Sequence, residues 1–381
     1  MREAAVRHSE TPAPYAPEHP QHPRNRINGI ELMFLLHTVP IGVGVLGMVR
    51  FIADKAGHDA PLAVLISGLY PQVGVLFMWL LLKRFRTMGI YEIHQQLFGR
   101  WVGKIFNLAF ASYCLYAFFM TLRTFTELVN TWLYPMMSPW VLSLIFLVPM
   151  IYASYAGIQL LGRYAIMTFF LTSWILVLIY FPIMEGSSSY LLPFGSNGIS
   201  RIFQGSLLSA LSVLGFELLM VYYPFVSYKK DVLPAATIAS WSVTLVYLIN
   251  AVVSIMFFSL PQLSKTIWPM LTMFKHVQVP FIERFETIVI AVWILKVVNT
   301  AGTYLWAGVD GMLKTIPVKK WVLYGLILIL ALVFSNALHT RAEINTQLNF
   351  LSKLGLGLMI GYPLLLWLLS LVLRKKGVEP S

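Results

Sequence analysis

Two short stretches of this chain carry residue types suited to holding a small charged ligand inside an apolar protein. The first is His37-Thr-Val-Pro40-Ile-Gly42-Val43-Gly44-Val-Leu-Gly47, and the second is Ser209-Ala-Leu-Ser212-Val-Leu214-Gly215-Phe216-Glu217. Proline removes a backbone donor and clashes with the preceding turn, and glycine is a poor helix former, so a helix entering either stretch is interrupted. At the first break, freed N–H groups near Gly42, Val43 and Gly44 form a positive dipole end that suits a carboxylate. At the second, carbonyls freed near Ser212 and Leu214 form a negative end that suits an ammonium group. Together they match a zwitterion, such as a free amino acid. The competing reading is that these glycines serve only close helix packing, as small residues do throughout membrane bundles.

Charged side chains near the breaks extend the candidate site. Glu217 follows the second break, at the positive end of the next half-helix, where a carboxylate is stabilised. Two roles stand open for it, receiving a ligand ammonium group or pairing with Lys296. Lys296 lies in Trp293-Ile-Leu-Lys296-Val-Val-Asn299-Thr300, near the middle of an apolar run, and Asn299 is grouped with it in the candidate site. An ionised lysine at a helix centre costs about 2.5–3.5 kcal/mol on insertion scales, so it should face the bundle interior or a water-filled cavity. It either contacts the ligand or a conduction path, or it snorkels and closes a structural ion pair. Phe216, beside the break, is a candidate aromatic gate.

Other charges read as structural. Arg123 and Glu127 have the spacing of an intrahelical pair. Glu283, Arg284 and Glu286 are expected to fix one helix end against the loop 261–280, which carries Trp268. That loop is a candidate lid, its tryptophan an interfacial anchor on the other reading. Asp310 is expected to be solvated. The sequence has no Gly-rich phosphate loop, no His-Glu-x-x-His metal site and no Gly-x-Ser-x-Gly elbow, so an enzyme is not expected and neither is a metal or cofactor.

The elements that hold these residues follow from composition. Of 381 residues, 58% are hydrophobic and only 12% charged, where a soluble protein has about 45–50% and about 25%. That excludes a soluble enzyme, a nucleic-acid-binding domain and a disordered chain. The single cysteine, Cys114, excludes an intrachain disulfide framework. Ten apolar runs approach the roughly 20 residues needed to cross a bilayer: 31–50, 61–82, 105–131, 139–156, 164–184, 202–226, 232–260, 286–309, 321–338 and 354–373. They are predicted to be helices, because a helix satisfies its own backbone in lipid, and they lack the alternation of barrel strands.

Residues 1–28, rich in proline and interrupted by charge, read as a disordered cytoplasmic tail without a cleavable signal. Residues 29–376 form the membrane domain and 377–381 a short cytoplasmic end. With the N-terminus inside, Lys and Arg favour the inner loops by about two to one, placing both termini in the cytoplasm. The breaks at Gly44 and Gly215 lie about 170 residues apart, near half the length after the tail. They therefore occupy matching places in two halves of five spans, and an odd number of spans inverts the second half. Interrupted segments at corresponding places in inverted repeats point to a transporter-type binding site.

The run from His37 to Arg50, with its Gly-Val-Gly core, resembles the first span of the B subunits of spore germinant receptors, the GerB-type germination permeases. So do Ser212-Val-Leu-Gly-Phe-Glu217 with Pro224 and Lys229-Lys230, and Ile267-Trp268-Pro269. Pro280-Phe-Ile-Glu283-Arg284-Phe-Glu286, followed by Trp293, is the most specific part of a resemblance covering about residues 28–375. The sequence departs from the pattern at His37, Met48-Val49 and Lys296.

The resemblance implies the amino acid–polyamine–organocation superfamily and an all-α, LeuT-like fold of five plus five spans with broken first and sixth helices. It also implies a nutrient-sensing subunit of the spore inner membrane, working with A and C subunits. Its ligand would be an amino acid or another small nutrient. Two rival functions remain, a secondary transporter carrying an amino acid with a proton or by exchange, and a water or ion pathway lined by Lys296 and Glu217.

Overall fold

The computed structural model describes residues 26–193, 195–277 and 284–373. Nearly all of the expected tail, the C-terminal end at 377–381 and the Pro280–Glu283 part of the loop motif lie outside the described residues. Among those described the chain is helical, and its one strand-like contact is a parallel bridge between Ile27 and Val226.

The first apolar run is split into α1 (Gly29–Thr38) and α2 (Met48–Ala56), with a single tight turn at Gly44–Leu46 between them. Asn28 and Glu31 start α1 with a reciprocal capping box, each side chain accepting the other's N–H at 2.8 Å. α3 (Ala60–Phe85) follows, then α4 (Ile90–Trp132), which is kinked at Gly99. α5 (Pro139–Tyr155), α6 (Ile158–Ser173) and, after a tighter stretch, α7 (Tyr180–Glu185) complete the first half.

The second half opens with α8 (Gly198–Leu208), gives way to tight turns from Ser209, and resumes as the short α9 (Leu219–Tyr222). α10 (Val232–Phe257) leads into two short helices, α11 (Leu260–Lys265) and α12 (Pro269–Phe274). α13 (Phe285–Leu313), α14 (Lys320–Ala337), α15 (Arg341–Leu356) and α16 (Tyr362–Val372) finish the chain, the last two joined by a wider π-type turn.

Seven helical stretches among the described residues are long and apolar enough to cross a membrane, and α1 and α5 are shorter apolar helices. Two runs have different limits from those expected. The run at 105–131 belongs to a helix beginning at Ile90, and the run at 354–373 to one beginning at Arg341. The reason for the second is local: Thr340 and Glu343 form a capping box, with Glu343 N–H on Thr340 Oγ1 at 3.2 Å, so the helix starts there whatever its polarity.

α13 is the hub, packed on α4, α5 and α6, while α10 packs on α3 and α1. Lipid is as apolar as leucine, so such contacts rest on close packing and hydrogen bonds rather than on water exclusion. At Gly308 a Cβ would lie 2.8 Å from Leu115, a contact that keeps α13 against α4 only because glycine has none.

Candidate functional site

The two breaks touch. A Cβ at Gly44 would sit 3.6 Å from Ser212 Oγ, and one at Gly215 would sit 2.5 Å from Val39 Cγ1. Gly215 has φ +120°, a conformation that L side chains rarely adopt, so both its backbone and its neighbour demand glycine.

Breaking a helix strands its carbonyls, and here neighbouring helices meet many of them. Tyr247 on α10 places its hydroxyl 2.7 Å from Pro40 O and 2.5 Å from Ser212 O. One turn further, Asn250 Nδ2 donates to Val45 O at 2.8 Å. From α13, Trp293 Nε1 donates to Gly42 O at 3.0 Å, and Thr300 Oγ1 lies 3.3 Å from both Thr38 O and Val39 O. The N–H groups of Gly42, Val43 and Gly44 find no acceptor among the described residues. The first break therefore keeps its donors free, as the sequence reading expected, while the Ser212 carbonyl of the second is taken by Tyr247.

A cavity of about 120 Å³ lies between the breaks. Gly42, Val43, Gly44, Ser212 and Leu214 line it, with Thr121 and Thr124 from α4, Thr300 and Tyr304 from α13, and Trp268. Arg341, Asn345 and Asn349 from α15 complete its polar wall. Gly215, Phe216, Glu217, Lys296 and Asn299 do not line it.

Glu217 lies one layer deeper and is fully buried. Tyr113 and Tyr304 donate to its Oε1 at 2.7 and 2.9 Å, and Gly215 N–H donates to Oε2 at 2.8 Å. Phe216 is also fully buried. Asn299 ties α13 to α6, its Nδ2 donating to Leu161 O at 3.1 Å. Lys296 is buried elsewhere, with Nζ 6.0 Å from the Phe169 ring. His37 packs on that same ring at 5.0 Å, and its Nδ1 meets Ser242 Oγ at 2.8 Å. No ion pair joins Lys296 to Glu217 among the described residues.

Two structural expectations change. Arg123 does not pair with Glu127: its Nε and Nη2 donate to Leu338 O at 3.0 and 2.6 Å, because the end of α14 leaves that carbonyl without a helical partner. Glu127 instead holds Arg341 Nη1 at 2.6 Å, and the Arg341 guanidinium lies 4.6 Å from the Trp268 ring, at the cavity. Asp310 is buried rather than solvated, with Lys314 2.9 Å away. At the start of α13, Arg284 Nε lies 3.3 Å from Glu286 and its Nη2 donates to Trp132 O at 3.4 Å, so it ties that end to α4; Glu283 lies outside the described residues.

Several lining residues escaped sequence reading. Arg341, Asn345 and Asn349 recur every fourth residue, a polar helical stripe hidden because 341–353 reads as a loop before an apolar run. The Thr-x-x-Glu signal at Thr340–Glu343 would have found that helix. Thr121, Thr124 and Tyr304 carry no local signal, being isolated hydroxyls in apolar spans.

A family model described as "Spore germination protein" matches residues 26–344. The spore germination protein GerQB of Bacillus cereus is 29% identical over 345 residues, covering 91% of this chain and 96% of that protein. Spore germination protein A2 of Bacillus subtilis (strain 168) is 23% identical over 298 residues, covering 76% and 80%. Among solved structures, MhsT in complex with L-phenylalanine superposes with a TM-score of 0.65 at 13% identity, covering 91% of this chain and 89% of that one. At that identity the likeness shows the fold, which is LeuT-like.

Proposed function

The chain belongs to the GerB-type spore germination permease family, and from that premise we propose that it is the nutrient-sensing B subunit of a germinant receptor. In this reading it crosses the spore inner membrane ten times with both termini in the cytoplasm, and it catalyses no reaction. A small nutrient, an amino acid by preference, binds at the two broken helices, and A and C subunits convert its binding into the germination signal. The observation that carries the reading is the cavity lined by both breaks, with the N–H groups of Gly42, Val43 and Gly44 unpartnered toward a carboxylate. Ligand acts by favouring one conformation over another, whatever its absolute affinity.

The test is germination of spores in which this chain is the sole B subunit and carries Gly44→Trp. A panel of amino acids and sugars would be supplied, with receptor level followed by immunoblot. Selective loss of one response at normal protein level supports the reading and identifies the nutrient; normal responses to every nutrient overturn it. The second reading, a secondary amino-acid transporter, is favoured by the shared fold with MhsT. Net uptake of an amino acid by proteoliposomes holding this chain alone would establish transport, and uptake that requires partner subunits or is absent favours the receptor.

A further inference from the structure

We propose that the cavity selects a primary ammonium group, held by the hydroxyl oxygens of Thr121, Thr124 and Tyr304, with Glu217 behind Tyr304 as the counter-charge. The proposal rests on the reading of this cavity as a binding site. It places the ammonium on residues other than the freed carbonyls of the second break.

A hydroxyl has one hydrogen to give and two lone pairs with which to accept. Thr121 donates its hydrogen to Ala117 O at 2.8 Å and Thr124 donates to Met120 O at 2.7 Å. Tyr304 donates to Glu217 Oε1 at 2.9 Å. All three residues line the cavity and their hydroxyl hydrogens are already committed, so these hydroxyls have lone pairs alone to offer. A carboxylate finds no donor there, whereas an ammonium group, which has three donors and no acceptor, is matched. The first break has the reverse character. Gly42, Val43 and Gly44 present free N–H groups, and Ser212 Oγ, beside Gly44, has no acceptor among the described residues.

The charge balance agrees. Arg341 also lines the cavity but is paired with Glu127 at 2.6 Å. Glu217 receives three hydrogen-bond donors and no cation among the described residues. Its charge acts on the cavity through the Tyr304 hydroxyl, and a hydrogen bond already polarised by a carboxylate makes that oxygen a stronger acceptor. Tyr304 and the threonines are thus the contacting residues, and Glu217 is a positioning residue that never touches the ligand.

The experiment uses the purified full-length chain in nanodiscs and two probes of one skeleton and opposite charge, isobutylammonium and isobutyrate, with binding followed by saturation-transfer NMR. Isobutylammonium is expected to bind. Tyr304→Phe and Glu217→Gln should each weaken it by roughly tenfold, the loss expected of one charge-assisted hydrogen bond. Isobutyrate affinity should stay within about twofold of wild type, because its donors are the N–H groups of the first break, which these changes leave in place. Thr121→Val, a change at one half-buried hydroxyl, provides an independent variant should either of the others fail to fold, and it should weaken isobutylammonium selectively. Binding of isobutyrate without isobutylammonium, or equal losses for both probes, overturns the ammonium assignment and leaves the cavity standing as a site. Binding of neither probe overturns both.

Discussion

The Tyr247 hydroxyl lies 2.5 Å from the carbonyl oxygen of Ser212, and within 2.7 Å of Pro40 O as well. One side chain on α10 thereby bridges the stranded carbonyls of both broken helices, one from each half of the chain. Replacing it with phenylalanine leaves two buried acceptors without that donor, at a cost of about 1–3 kcal/mol. Tyr247→Phe should lower the thermal midpoint of the purified protein while leaving the helix content at low temperature unchanged. A midpoint equal to wild type would mean that the bridge contributes nothing.

The two break glycines should respond oppositely to alanine. At Gly44 a Cβ meets Ser212 at 3.6 Å, an ordinary contact, so Gly44→Ala should fold and assemble. At Gly215 the Cβ would press into Val39 at 2.5 Å on a backbone held at φ +120°. Gly215→Ala should therefore reduce the amount of folded protein sharply. Equal yields of both variants on size-exclusion chromatography would contradict this.

Lys296→Met should leave nutrient affinity within about threefold of wild type, since the ammonium group lies against Phe169 and not in the cavity. Germination dose–response curves decide the point. A large shift in half-saturating nutrient would return Lys296 to the binding site.

At the C-terminal end of α13, Lys314 Nζ lies 2.8 Å from Glu92 and 2.9 Å from Asp310. Burial by itself would lower the Lys314 pKa, but attraction to Asp310 and Glu92 outweighs it and raises the pKa above the ordinary lysine value. A pKa raised on folding contributes stability that is fully present below the unfolded value and is lost only as pH rises through the folded one. The cluster should therefore hold unchanged from pH 6 to 9. Lys314→Met removes the cation that lies between Glu92 and Asp310 and should cost about 3–5 kcal/mol. Thermal unfolding at pH 7 and pH 9 should show the same deficit at both. A deficit that disappears at pH 9 would mean that the lysine is already neutral there in the wild type.

Much of the fold was legible because lipid imposes simple rules. A helix in hydrocarbon must satisfy its own backbone, so long apolar runs announce themselves, and Pro40, Gly42, Gly44 and Gly215 mark where that satisfaction fails. Their matched spacing carried the two-fold plan of the chain. The limits of α4 and α15 were less legible, because polar helical turns at a membrane face resemble loops until their caps are read.

What the sequence determined by itself was therefore local: which segments are helical and where two of them break. Partnership was decided only by tertiary structure. Glu217 and Lys296 are both buried charges in apolar spans, yet one receives Tyr113, Tyr304 and Gly215 while the other rests on Phe169. Arg123 has Glu127 one turn away on its own helix, but the stranded carbonyl of Leu338 takes it and Arg341 takes the glutamate. A buried polar group binds whatever partner packing brings within 3 Å, and packing of distant helices is not written in the spacing along any one of them.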